Sequence, residues 1–249
     1  MNDCIVIGMP LKNNALTVTS AIESFLSQKL PLRDTLLLIA NDESTDDSRE
    51  IVQSFLPHPQ IQLIDVKGGT AYATRNHIHH FIRKNIPNCC LIGRLDADDI
   101  LADEYILRKI EERWEQTKFD VLFMGNRQKK DNQILEWVNI AFKELLDDNY
   151  LLNRLKEMSL GNKQAELPSC NTFIRPNVNL DYPAIESAED HWFTVFLLLQ
   201  KDKLNIQVAE DLIYCIYSLD GSVTHQNSKQ SIYQKSRVEL YQYFKQQML

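Results

Sequence analysis

At 249 residues, with 44% hydrophobic and 24% charged side chains, the chain fits one large α/β domain able to bury a sizeable core. Its formal charge of -7 argues against a general nucleic-acid binder, which needs a basic surface, although a divalent cation can still recruit a phosphorylated ligand. With 7 glycines and 8 prolines, long linkers are not expected either.

The first half alternates apolar and amphipathic stretches. Residues 4–9 predict an apolar strand ended by Pro10, and residues 15–28 place Leu16, Thr19, Ala21, Ile22, Phe25 and Leu26 at helical spacing. Residues 35–40 form a continuous apolar run, expected of a strand buried on both faces. A helix follows at 46–56, a strand at 61–66 broken by Gly68-Gly69, and a helix at 70–86. Residues 89–95 predict a fourth strand, 103–116 a helix and 119–124 a fifth strand. Such alternation requires right-handed crossovers and a largely parallel sheet, with ligands beyond the carboxyl ends of the strands. The polar clusters Pro10–Asn13, Asn41–Ser44 and Asp96–Asp99 lie at those ends.

The second half is less regular. Residues 139–158 predict one or two helices, 169–175, 206–208 and 212–217 strands, and 189–199 a helix. The terminal stretch 230–249 is amphipathic, with Ile232, Tyr233, Val238, Tyr241 and Phe244 as candidates for one face. That stripe is expected to pack on its own domain, with a homodimer contact or a peripheral membrane contact as the alternatives. Cys4, Cys89, Cys90, Cys170 and Cys215 form no C-x-x-C pair, and the adjacent Cys89 and Cys90 read as buried thiols, giving a reducing cytoplasm as the expected location. The apolar run from Trp192 to Leu199 is too short for a bilayer span, which takes about 20 residues, and no signal peptide is recognisable, so a soluble protein is expected.

The stretch Leu91-Ile92-Gly93-Arg94-Leu95-Asp96-Ala97-Asp98-Asp99 carries the most chemical information. An apolar strand runs into three carboxylates within four residues, and a cation or solvent must offset their repulsion. All-oxygen clusters suit Mg²⁺ or Mn²⁺ with substrate phosphates as further ligands. The same carboxylates also read as a cap for the helix near Asp103.

Five motifs in order resemble the family 2 glycosyltransferases, which have the GT-A fold: a mostly parallel central sheet flanked by helices, with a smaller mixed C-terminal acceptor region. They are Ile5–Pro10 with Asn13-Asn14, Asn41-Asp42-Glu43-Ser44-Thr45-Asp46, Gly68-Gly69 leading to Ala73-Thr74-Arg75-Asn76, Asp96-Ala97-Asp98-Asp99, and Glu189-Asp190. The resemblance implies nucleotide-sugar contacts at Pro10, Asn13, Asp42, Arg75, Asp96 and Asp98, a divalent metal (Mn or Mg) at Asp98 and Asp99, and a catalytic base at Asp190. It further implies an inverting transfer from a UDP-sugar-like donor to a carbohydrate or glycolipid hydroxyl. The implied setting is polysaccharide or glycoconjugate synthesis. Residues 1–125 would form the nucleotide-sugar half, 126–229 the acceptor and base half, and 230–249 a terminal helix. Glu43 stands where the family usually has glycine, and Leu11-Lys12 where an aromatic is common.

Taken singly, Asp42 also reads as a turn cap, Arg75 as a solvated helix residue, and Glu189-Asp190 as acids favoured by a helix dipole. His77, His79 and His80 read as solvated helix histidines, since no further ligand stands at metal spacing. Ser222 and His225 lie where the family often places a loop near the diphosphate. Trp192, Phe193, Phe196 and Leu198 read as core. A sugar nucleotidyltransferase and a catalytically silent nucleotide-sugar binder are the rival functions. The first usually carries a glycine-rich basic loop, which Pro10–Asn14 lacks.

Overall fold

The structure, a computed structural model, describes residues 3–29, 33–131, 133–219 and 231–249. Four parallel strands form one half of the sheet: β1 (Cys4–Leu11), β2 (Asp34–Asp42), β3 (Ile61–Val66) and β4 (Cys89–Arg94), in the order β3-β2-β1-β4. Helices α1 (Val18–Leu26), α2 (Ser48–Phe55) and α3 (Ala71–Asn85) make the crossovers. Side chains of a strand alternate between faces, and the core divides accordingly. Ile5, Ile7 and Met9 pack with α1, α2 and α4 (Ile106–Thr117), whereas Cys4 and Val6 share a cluster with α3 and the later helices. The result is a three-layer α/β fold.

Beyond β4 the sheet changes character. A short strand β5 (Ile100–Leu101) follows the acidic turn, and β6 (Val121–Lys130) folds back into a hairpin with β7 (Gln133–Asn139). β8 (Thr172–Ile174) inserts antiparallel between β4 and β6, and β9 (Ile206–Ser218) runs parallel to β6. The fifth expected strand is therefore not a neighbour of the fourth. The two strands expected at 206–208 and 212–217 are one bent strand, whose register against β6 shifts at Gly125.

Within 139–158, where one or two helices are expected, a short 3-10 helix spans Lys143–Leu146 and α5 spans Asp148–Ser159, with the Asp147 side chain accepting the Tyr150 N–H at 2.8 Å. Residue 139 belongs to β7 instead. Asp98 and Asp99 do not cap α4, because β5 intervenes.

Helix α6 (Glu189–Leu198) is buried almost all round through His191, Trp192, Phe193, Thr194, Val195, Leu197 and Leu198, which explains its continuous apolar sequence. Trp192, Phe193 and Leu198 are core, as expected, with Phe196 packed against them. The terminal helix α7 (Ser231–Gln247) lies against α5 and α6 through Leu240 and Phe244, while Val238, expected on the inner face, is exposed. Its apolar residues are thus largely covered by their own domain. Among the described residues no helix is long and apolar enough to cross a membrane. The five cysteines are free, with Cys89 and Cys90 only half-buried.

Candidate active site

The loops beyond β1 and β2 are tied to each other by side chains. Asn13 N–H donates to Ser44 Oγ (3.1 Å), Asn14 N–H to Ser48 Oγ (2.7 Å) and Ala15 N–H to Asp46 (3.1 Å), and Asn13 Oδ1 accepts the Thr45 N–H at 2.8 Å. The Ser-Thr-Asp signature thereby fixes the first loop. Glu43 has φ of +53°, so the turn keeps the left-handed backbone of a glycine although its residue differs.

Asp42 is buried and spans two loops. Its carboxylate accepts the N–H groups of Gly68 (2.7 Å) and Gly69 (3.0 Å) and faces Lys12 Nζ at 3.4 Å. Burial opposes its ionisation, but the two glycine N–H groups, Thr74 and Lys12 outweigh that and lower its pKa. Asp42 is therefore no simple turn cap. Gly68 is required here, because a Cβ would run into Thr74.

A cleft of about 920 Å³ opens beyond these strand ends. Pro10, Asn13, Asp42, Arg75, Asp96, Asp98 and Asp190 all line it. Asp99 does not. It is 1% exposed, and its Oδ1 accepts the Ser218 N–H at 2.9 Å, which pins the acidic turn to the end of β9.

At the base of the cleft lies an ionic network. Arg94 Nη2 reaches Asp96 Oδ2 at 2.7 Å and Asp190 Oδ2 at 3.6 Å; Arg75 pairs with Glu189 and lies 3.5 Å from Asp96 Oδ2. Arg75 is buried, contrary to the solvated reading, and its guanidinium lies 5.5 Å from the Tyr182 ring centre. Ser169 Oγ donates to Asp190 Oδ2 at 3.0 Å.

The two neighbouring acids on α6 are driven apart. Burial raises the pKa of Glu189 despite Arg75. Burial also opposes ionisation of Asp190, but His191, Arg94, Arg75 and the Ser169 hydroxyl outweigh it and hold its pKa well below the ordinary carboxylate value. The Asp190 side chain is 21% exposed and reachable from the cleft. Ala188, just before the pair, sits in the left-handed region at φ of +62°, an unfavourable place for a residue with a Cβ.

The acidic turn suits a cation. Burial, then Asp96, pushes Asp98 up to about 6, and burial with both neighbouring acids raises Asp99 well above its usual value. Asp96 Oδ1 is buried without a hydrogen-bond partner. Among the described residues no three His, Cys, Asp or Glu side chains form a ready metal cage. Substrate phosphates and waters would therefore complete the shell, as is usual for Mg²⁺ or Mn²⁺.

Several participants escape a motif-based reading. Arg94 is one, and a charged residue inside the apolar run 91–95 was its available signal. Ser169 and the β6–β7 residues facing the cleft carried none. His79 is buried against the stacked rings of Tyr182 and Phe193, correcting the solvated reading, while His77 and His80 are exposed. Ser222 and His225 lie outside the described residues.

The profile of Glycosyl transferase family 2 matches residues 6–180. No curated protein gives a significant match. Solved structures with the same fold include S. aureus TarS 1-349, at 16% identity and a TM-score of 0.64, covering 86% of this chain and 60% of that one. The same protein in complex with UDP-GlcNAc aligns at 18% identity and 0.67, covering 88% and 59%. Its complex with UDP aligns at 16% and 0.67, covering 96% and 70%. This chain thus spans about 60% of the first of these, and the likeness establishes a GT-A type of fold.

Proposed function

Because the chain belongs to glycosyl transferase family 2, we propose that it moves a sugar from a UDP-sugar to an acceptor hydroxyl, with inversion at the anomeric carbon. One observation carries this reading: an ionised Asp190 shares a single cleft with the loops beyond β1 and β2 and with the acidic turn. The structural complexes of TarS with UDP-GlcNAc and UDP support the choice of nucleotide.

In this reading Pro10, Asn13 and Asp42 bound the base-binding end, and Arg75 lies along the phosphates. Asp96 and Asp98 flank the ribose and sugar-phosphate region. A divalent cation would be held by Asp98 and by the Asp99 oxygen that Ser218 does not engage. When bound it supplies Lewis-acid stabilisation of the departing diphosphate. Asp190 accepts the acceptor proton during attack, while Ser169 orients its carboxylate and Arg94 keeps it ionised. The setting proposed is cytoplasmic assembly of a polysaccharide or glycoconjugate.

Proton NMR of a UDP-hexose panel incubated with the chain and Mn²⁺ tests this. Metal-dependent release of UDP with an initially inverted anomeric proton is expected. Release with retained configuration would contradict the mechanism, and no release from any donor would contradict the activity.

A further inference from the structure

The sheet face carried by β7, β6 and β9 is distinct from the donor end, since β4 and β8 separate β6 from β1 and β2. Register brings five side chains together on it. Asn126 pairs with Asn139 on β7, and Gln128 pairs with Tyr217 on β9. Residues two apart on a strand share a face, which adds Trp137 beside Asn139. All five line the cleft, and none is charged. Arg127, Lys129 and Glu136, which alternate with them, do not line it.

Resting on the glycosyltransferase reading, we propose that this face is the acceptor subsite and that it takes a neutral pyranose sugar. Asn126 is 5% exposed, yet its Oδ1 has no hydrogen-bond partner. A buried amide oxygen left so is costly, and a ligand hydroxyl is the donor that satisfies it. The half-buried Trp137 and Tyr217 offer ring surface for the C–H face of a pyranose, while Gln128 and Asn139 offer amides for its hydroxyl edge. An anionic acceptor would need cations, which these five residues do not provide, and Lys12, Arg75, Arg94 and Arg237, which also line the cleft, are each paired with a carboxylate. The face also adjoins the base. Asn126 Nδ2 lies 3.7 Å from Cys170 Sγ, and the preceding residue, Ser169, bonds Asp190. A sugar seated here brings a hydroxyl to that end of the cleft.

Saturation-transfer NMR on the full chain tests the proposal, with methyl glucopyranosides and galactopyranosides as probes and sn-glycerol 3-phosphate as the anionic comparison, all in the presence of UDP and Mn²⁺. Transfer to pyranoside ring C–H protons is expected, falling about tenfold in Trp137→Ala and also in Gln128→Glu, which places a carboxylate on an otherwise neutral face. Trp137→Phe, which keeps a ring, should retain part of the signal and guards against misfolding of the alanine variant. Undiminished transfer in both Trp137→Ala and Gln128→Glu, or stronger transfer to the glycerol phosphate, overturns the proposal. UDP affinity measured on the same samples separates its failure from failure of the donor reading.

Discussion

Asp190 and Glu189 are neighbours in sequence but not in surroundings, and that difference underlies the roles proposed for them. Glu189 is spent on Arg75, while Asp190 remains ionised and open to the cleft. Asp190→Asn should lower kcat by about 10²–10⁴-fold while UDP affinity and melting temperature stay near wild type, because Asn keeps the helix-start geometry but cannot take a proton. Calorimetry alongside the transfer assay checks all three quantities, and unchanged kcat moves the base elsewhere. The acidic turn invites a second division. Asp98 lines the cleft, whereas Asp99 is buried and holds Ser218. Asp98→Asn should therefore abolish Mn²⁺-dependent turnover with little change in melting temperature. Asp99→Ala should cost both, since removing a buried acceptor leaves an N–H unsatisfied at about 1–3 kcal/mol. Equal melting temperatures for the two variants would contradict the distinction.

At the scale of elements, Ala188 sets the entry to α6 and hence the position of the Glu-Asp pair. A left-handed backbone costs an L-residue about 1–2 kcal/mol and is worst for β-branched side chains. Ala188→Val is expected to destabilise by at least about that amount and to depress kcat more than donor affinity. Ala188→Gly should preserve both. Denaturant melts paired with steady-state kinetics decide between this and a loop whose conformation is immaterial. The helix itself was legible in sequence, as were β1 to β4, because buried parallel strands and amphipathic crossovers write strong periodicities. The β6–β7 hairpin was not. Its cleft face carries Asn126, Gln128, Trp137 and Asn139, a mixture of amides and one aromatic that shows no apolar alternation. Arg237 hid the inner face of α7 for the same reason. It is 3% exposed and bonded to Glu166 at 3.0 Å, a polar contact that a search for apolar stripes reads as solvent-facing. Motif order picked out residues that line the cleft, Asp190 among them; the β6–β7 face depended on register, which only the assembled sheet supplies.

For the whole molecule, acid sensitivity follows from a buried imidazole. Burial, reinforced by Arg83, depresses His79 from 6.5 to about 3. The unfolded chain thus binds a proton that the folded chain refuses between those values. Stability from this group is complete above pH 6.5 and is lost progressively as pH falls toward 3. His79→Phe, which keeps a ring against Tyr182 and Phe193, should flatten that limb by an amount on the order of a few kcal/mol. Melting curves from pH 7 to 4 for the two proteins, compared as a difference, check the sign; parallel curves would contradict it. At the same scale, the strand ends and the acidic turn are proposed to form one nucleotide-diphosphate site. Calorimetric titration of UDP into the chain, with Mn²⁺ and then with EDTA, measures it most directly. One-to-one binding with Mn²⁺ is expected, weakened about tenfold or more by EDTA and by Asp98→Asn. Absence of binding under both conditions, or binding indifferent to EDTA and to Asp98, would contradict it.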